Sequence, residues 1–206
     1  MPKPDLILVI DMQNVYQPGQ PWGCTSFHRA CMHITGLLDG VERLNCPPHV
    51  CFTRFVSNPD ARGVWAEYNV LHRTINENCW MGDLTDVLKP YVCRYPLYEK
   101  SVYSSMAVPE IRALARKSAR IVLTGVVSEC CVLSTCMEAI DQGHRVVYLR
   151  DACSGSDAST ESAVENILSR LAPLHVSIMN ADAYWETLVR AENMLASSQR
   201  EADIDS

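Results

Sequence analysis

Residues 120–149 read RIVLTGVVSECCVLSTCMEAIDQGHRVVYL. The apolar run Arg120–Thr124 meets Gly125. A helical pattern over Cys130–Gln142 then ends at Gly143, a C-cap signal. A second apolar run, Arg145–Leu149, follows directly. Strand, helix and strand in immediate succession describe a right-handed parallel crossover, and runs rich in Val, Ile and Leu suit strands buried on both faces of a parallel sheet.

The same alternation extends outward. Strand-like runs precede the stretch at Leu6–Ile10, His49–Phe55 and Tyr91–Tyr95, and one follows at His175–Met179. Between them lie helical patterns at His28–Leu44, Pro109–Ala115, Ser159–Leu171 and Ala183–Leu195. In the first, Ile34, Leu37, Leu38, Val41 and Leu44 recur at three and four. The pattern predicts a three-layer, doubly wound α/β fold of Rossmann-like type, formed as one domain over residues 1–195. Residues 56–90, with Trp65, Tyr68 and Trp80 but little strand signal, read as an excursion over one end of the sheet. Residues 196–206, ASSQREADIDS, read as a polar, disordered tail.

The chain has 206 residues, 48% hydrophobic and 20% charged, with net charge −6. This is ordinary globular composition, and it offers no basic surface for nucleic acid or an anionic membrane. The N-terminal apolar run Leu6–Ile10 lies between Asp5 and Asp11, too short and too charged at its edges for a signal-peptide core, and no run is long enough to span a membrane. A cytoplasmic chain is expected, with its ten cysteines reduced and mostly acting as small buried hydrophobes.

In open α/β sheets, ligands bind beyond the carboxyl ends of the strands where strand order reverses. Three polar features follow strand-like runs: Asp11, Lys100, and the segment Ser128-Glu129-Cys130-Cys131. Asp11 could serve as a base or merely cap a turn. Lys100, one of only four lysines, could equally be a solvated surface residue. A cysteine at the start of a helix gains thiolate character from free N–H groups and the helix dipole, and those N–H groups can also bind an oxyanion. With ten cysteines in the chain, a buried structural thiol is the competing reading.

Taken together, these pieces resemble the isochorismatase-like superfamily of cysteine hydrolases. The matching residues are Leu8-Val9-Ile10-Asp11-Met12-Gln13, Lys100-Ser101-Val102-Tyr103-Ser104, and Thr124-Gly125-Val126-Val127-Ser128-Glu129-Cys130-Cys131-Val132, with Thr135, Ala139 and Asp151-Ala152 behind them. The resemblance implies a six-stranded parallel sheet, a homo-oligomer (dimer or tetramer), and a catalytic triad of Asp11, Lys100 and Cys131. It further implies a cis bond at Val127–Ser128 and an oxyanion hole from the amides of Ser128 and Cys131. The reaction it implies is hydrolysis of a small-molecule amide through a thioester on Cys131. The alternatives are an isochorismatase-type ether or carbamoyl hydrolase and, from another class, a thiol redox or binding protein using Cys130, Cys131 and Cys136.

No cofactor is expected. Nicotinamidase-like relatives carry a histidine-containing metal stretch after the second strand, where this chain reads Phe55-Val56-Ser57-Asn58-Pro59-Asp60-Ala61-Arg62. Cys24, His28, Cys31 and His33 resemble a metal cluster, but on one straight helix Cys24 and Cys31 would stand about 10 Å apart, too far to share an ion. Candidates for the substrate pocket are Gln13, Tyr16, Trp22, Arg54, Trp65, Tyr68 and Tyr103; the aromatics among them could instead pack the core or an interface, and Arg54 could pair with Asp60 or Glu67.

Overall fold

The computed structural model describes residues 3–204. Six strands, β1 (Leu6–Ile10), β2 (His49–Phe55), β3 (Leu97–Lys100), β4 (Ile121–Val126), β5 (Val146–Ser154) and β6 (Val176–Met179), form one sheet in the order β3-β2-β1-β4-β5-β6. Every pairing is parallel. Strand order reverses between β1 and β4, so the crevice for a ligand lies at their carboxyl ends.

Alternation along β1 shows why both faces are covered. Ile7 and Val9 point to one side, where α1 (Phe27–Val41) and Tyr184 of α9 (Ala181–Ile204) bury them. Leu6, Leu8 and Ile10 point to the other, beneath α6 (Pro109–Lys117), α7 (Leu133–Asp141) and α8 (Ala158–Ser169). All five β1 residues are buried, as expected of a central parallel strand. Local signals set the helix ends. Pro109 opens α6, and Asp157 caps α8 by accepting the Thr160 N–H at 2.8 Å.

Between β2 and β3 the chain makes four short helices, α2 (Val64–Leu71), α3 (Arg73–Asn76), α4 (Cys79–Gly82) and α5 (Lys89–Val92). The strand expected at Tyr91–Tyr95 is therefore corrected: Tyr91 belongs to α5, and β3 starts at Leu97. Pro90 sits in the first turn of α5, the Tyr91 hydroxyl donates to Asp39 Oδ1 at 2.6 Å, and the Pro96 carbonyl accepts the Phe52 N–H just before β3 begins. The tail expected from residue 196 is corrected as well. Its Ala, Gln, Arg and Glu residues are good helix formers, and α9 continues through Ile204; residues 205–206 lie outside the described residues.

Candidate active site

Asp11 follows β1 directly and lies in the left-handed region, at φ 51°. A non-glycine residue pays for that conformation, although Asp tolerates it better than most, and such strain concentrates at functional positions. The turn aims the carboxylate across the end of the sheet. Its Oδ1 accepts the Thr53 hydroxyl at 2.7 Å, and its Oδ2 lies 2.5 Å from Lys100 Nζ. Lys100, the last residue of β3, also donates to the Val102 carbonyl at 3.1 Å and sits over the Phe55 ring. Both side chains of the pair are almost wholly buried, at 0% and 1% exposure. Oδ2 has this ion-pair contact but no aligned hydrogen bond, which leaves a lone pair to receive a proton.

Cys131 reaches the same point from β4. Val126 ends the strand, and the Val127 carbonyl accepts N–H groups from both Cys130 (3.0 Å) and Val132 (3.2 Å), winding Ser128–Val132 into a wide helical turn. The turn delivers Cys131, buried, beside Asp11 and Lys100. Thr135 pins it from behind: its hydroxyl donates to the Cys131 carbonyl at 2.6 Å and accepts the Ser105 N–H at 2.9 Å. Gly125 makes the approach possible. It pairs with Ile10 at φ 107°, and a Cβ there would fall 2.1 Å from the Ile10 carbonyl oxygen.

The cis bond is Val126–Val127, which corrects the expected Val127–Ser128. Ser128 already starts the helical turn, so the change of chain direction lies one residue earlier. Ser128 is fully buried, its hydroxyl accepting a 3.4 Å hydrogen bond from Tyr148, while Val127 and Cys131 line the cavity above the triad.

The electrostatics correct a second expectation, that the helix start would make Cys131 a ready thiolate. Burial pushes the thiol up, the Asp11 carboxylate pushes it further, and the Lys100 ammonium offsets this only in part. Burial would likewise depress Lys100, but Asp11 and the Cys131 sulfur outweigh it and hold Lys100 above its ordinary value. These surroundings favour the protonated thiol of Cys131 beside the Asp11–Lys100 ion pair.

Above Cys131 opens a cavity of about 290 Å³, walled by Tyr16, Trp22, Tyr68 and Tyr103 with Glu129 at its side. Trp65 stands behind that wall, against Tyr68 and Tyr103 at centroid distances of 5.3 and 5.0 Å. Gln13 is buried in the scaffold, its amide clamping Phe55 and Gly82. Arg54 faces away and pairs with Glu99, not Asp60 or Glu67. Sequence reasoning missed Thr53 and Glu129. A hydroxyl residue inside the strand-like run VCFTRF was the available signal for Thr53, which the register sets against Ile10. Among the described residues no three His, Cys, Asp or Glu side chains are grouped to hold a metal ion.

The isochorismatase domain model matches residues 5–182. The chain belongs to the isochorismatase family. Its sheet, with helices on both faces, is the fold of isochorismatase-like hydrolases. A cysteine hydrolase from Pseudomonas syringae pv. phaseolicola superposes with TM-score 0.76 at 17% identity, over 91% of this chain and 93% of that one. An isochorismatase family protein from Desulfovibrio vulgaris gives 0.75 at 19% identity, over 91% and 99%. N-carbamoylsarcosine amidase from Thermoplasma acidophilum gives 0.67 at 16% identity, over 87% and 97%. No curated protein matches the sequence. No helix of the described residues is long and apolar enough to cross a membrane.

Proposed function

We propose that this isochorismatase family member hydrolyses a C–N bond of a small amide through a thioester on Cys131. The observation that carries the reading is the buried Asp11–Lys100 pair set against the Cys131 thiol at the floor of an open aromatic cavity. A thiol held neutral needs a base at the moment of attack, and Asp11 Oδ2 is the acceptor within reach.

Oδ2 takes the thiol proton as Sγ bonds to the amide carbonyl carbon. Lys100 stays protonated throughout and stabilises first the thiolate and then the tetrahedral species. The oxyanion is assigned to the amides of Val127 and Cys131, because those residues line the cavity and Ser128 does not. As the C–N bond breaks, Asp11 returns its proton to the leaving amine. Water then adds to the thioester, giving a proton to Asp11, and the C–S bond breaks. The thiolate recovers that proton, leaving a free acid, an amine and the resting enzyme.

The test is a screen of small amides for amine or ammonia release, with mass spectrometry of the acyl adduct. The expected result is turnover that Cys131→Ala abolishes, together with a transient acyl group mapped to Cys131 and not Cys130. Full turnover by Cys131→Ala would sink the scheme.

A further inference from the structure

The cavity above Cys131 has an uneven charge. Of the side chains lining it, only Glu129 is formally charged, because the Asp11 and Lys100 charges beneath compensate one another. Glu129 Oε1 accepts the Ser156 N–H at 3.1 Å, whereas Oε2 is buried with no hydrogen-bond partner. No ion pair reaches this carboxylate among the described residues; the neighbouring acid Glu161, in the first turn of α8, is paired with Arg29. The room beside Oε2 depends on Gly155, since a Cβ there would come within 2.7 Å of it. After burial, Glu129 is the largest influence raising both the Cys24 and the Cys130 thiols, so its charge is felt around the cavity.

The other walls act in the same direction. Tyr16 and Trp22 lie 5.7 Å apart between ring centroids, and Trp22 and Tyr68 6.2 Å. Burial keeps the Tyr16, Tyr68 and Tyr103 phenols neutral. Aromatic faces attract cations, and an uncompensated carboxylate in a partly desolvated cavity strengthens that attraction while repelling anions. Arg54, the residue that could have received a substrate carboxylate, is engaged elsewhere with Glu99.

We propose that the substrate is a small amide whose far end is cationic, an ammonium or guanidinium group, and that Glu129 sets this preference against amides bearing a carboxylate. The inference rests on the hydrolase reading for the scissile group, but not for the charge preference itself.

Three probes of one shape test it: 4-(aminomethyl)benzamide, benzamide and 4-carboxybenzamide. Binding is followed by tryptophan fluorescence on Cys131→Ala, where no turnover intrudes, and hydrolysis is followed on the wild type. The expected order is cationic, neutral, anionic, with about tenfold or more between the first and last, a gap that shrinks with added salt. Glu129→Gln keeps an acceptor for Ser156 and should compress that gap to about twofold. Equal or tighter binding of 4-carboxybenzamide, an order unchanged by Glu129→Gln, or no binding of any probe overturns the proposal. If the probes bind in the expected order but the wild type cleaves neither them nor any other small amide, the hydrolase reading fails and the charge preference stands.

Discussion

The two oxygens of Asp11 are made unequal by their neighbours. Oδ1 is occupied by the Thr53 hydroxyl, and Oδ2 is left to face Lys100 and the thiol. Thr53 therefore positions the base without touching substrate. Thr53→Val removes the donor while keeping the shape, so the carboxylate loses its hold at one end. We expect kcat on a cleaved amide to fall about tenfold with KM little changed, as one buried hydrogen bond to a charged group is lost, and Thr53→Ser to restore it. An unchanged kcat would mean that Lys100 alone orients Asp11. At this scale, polar residues following strand-like runs drew notice in the sequence, and the structure brings those three, Asp11, Lys100 and Cys131, together. Thr53 was not legible, because threonine is a common strand former and one buried hydroxyl leaves no pattern. Glu129 was quoted within a motif but carried no role, since nothing in its spacing reveals that its carboxylate lacks a counter-ion.

Among the elements, the passage from β4 into the helical turn and α7 decides whether the nucleophile meets its base. Gly125 reads in sequence as the turn itself, yet it lies inside β4, paired with Ile10. The turn comes after Val126, where the cis bond lies, whereas the family resemblance implied the next bond, Val127–Ser128. Gly125→Ala forces a Cβ into the Ile10 carbonyl at 2.1 Å, with φ at 107° besides. Backbone lies on the other side, so no side chain can yield. We expect a loss of about 3 kcal/mol or more in denaturant unfolding, in the range that marks steric conflict at a special backbone position. Near wild-type stability would show that β1 and β4 can separate without cost. Five of the six strands were legible from apolar runs. β3 was displaced because Tyr91–Tyr95 is the more apolar stretch, and its tertiary role in packing against α1 overrode the local pattern. Residues 56–90 were legible only as an interruption: α2 has no buried residue of its own and so no strong periodicity to read.

Across the whole molecule the sheet separates stability from chemistry. Asp5 at the amino end of β1 is gripped by Arg120 and by the Tyr184 hydroxyl at 3.0 Å, tying α9 to the sheet, while the opposite end of the same strand holds the triad. The interior between also holds thiols: Cys51 under α6 and Cys136 of α7 are fully buried, and burial raises each to about 12. In the unfolded chain these thiols ionise near the free value of about 8.5. Between the two values the unfolded state has lost protons that the folded state keeps, so rising pH favours unfolding. Each thiol should then subtract about 1.4 kcal/mol of stability per pH unit, and the pair about 2.7, beginning above about pH 8.5. Urea unfolding at pH 7, 9 and 10 under reducing conditions measures the slope. The Cys51→Ala, Cys136→Ala double variant starts less stable because of the cavities it leaves, yet its stability should fall less steeply with pH. An equal slope in both proteins would move the alkaline sensitivity away from these core thiols and onto other groups.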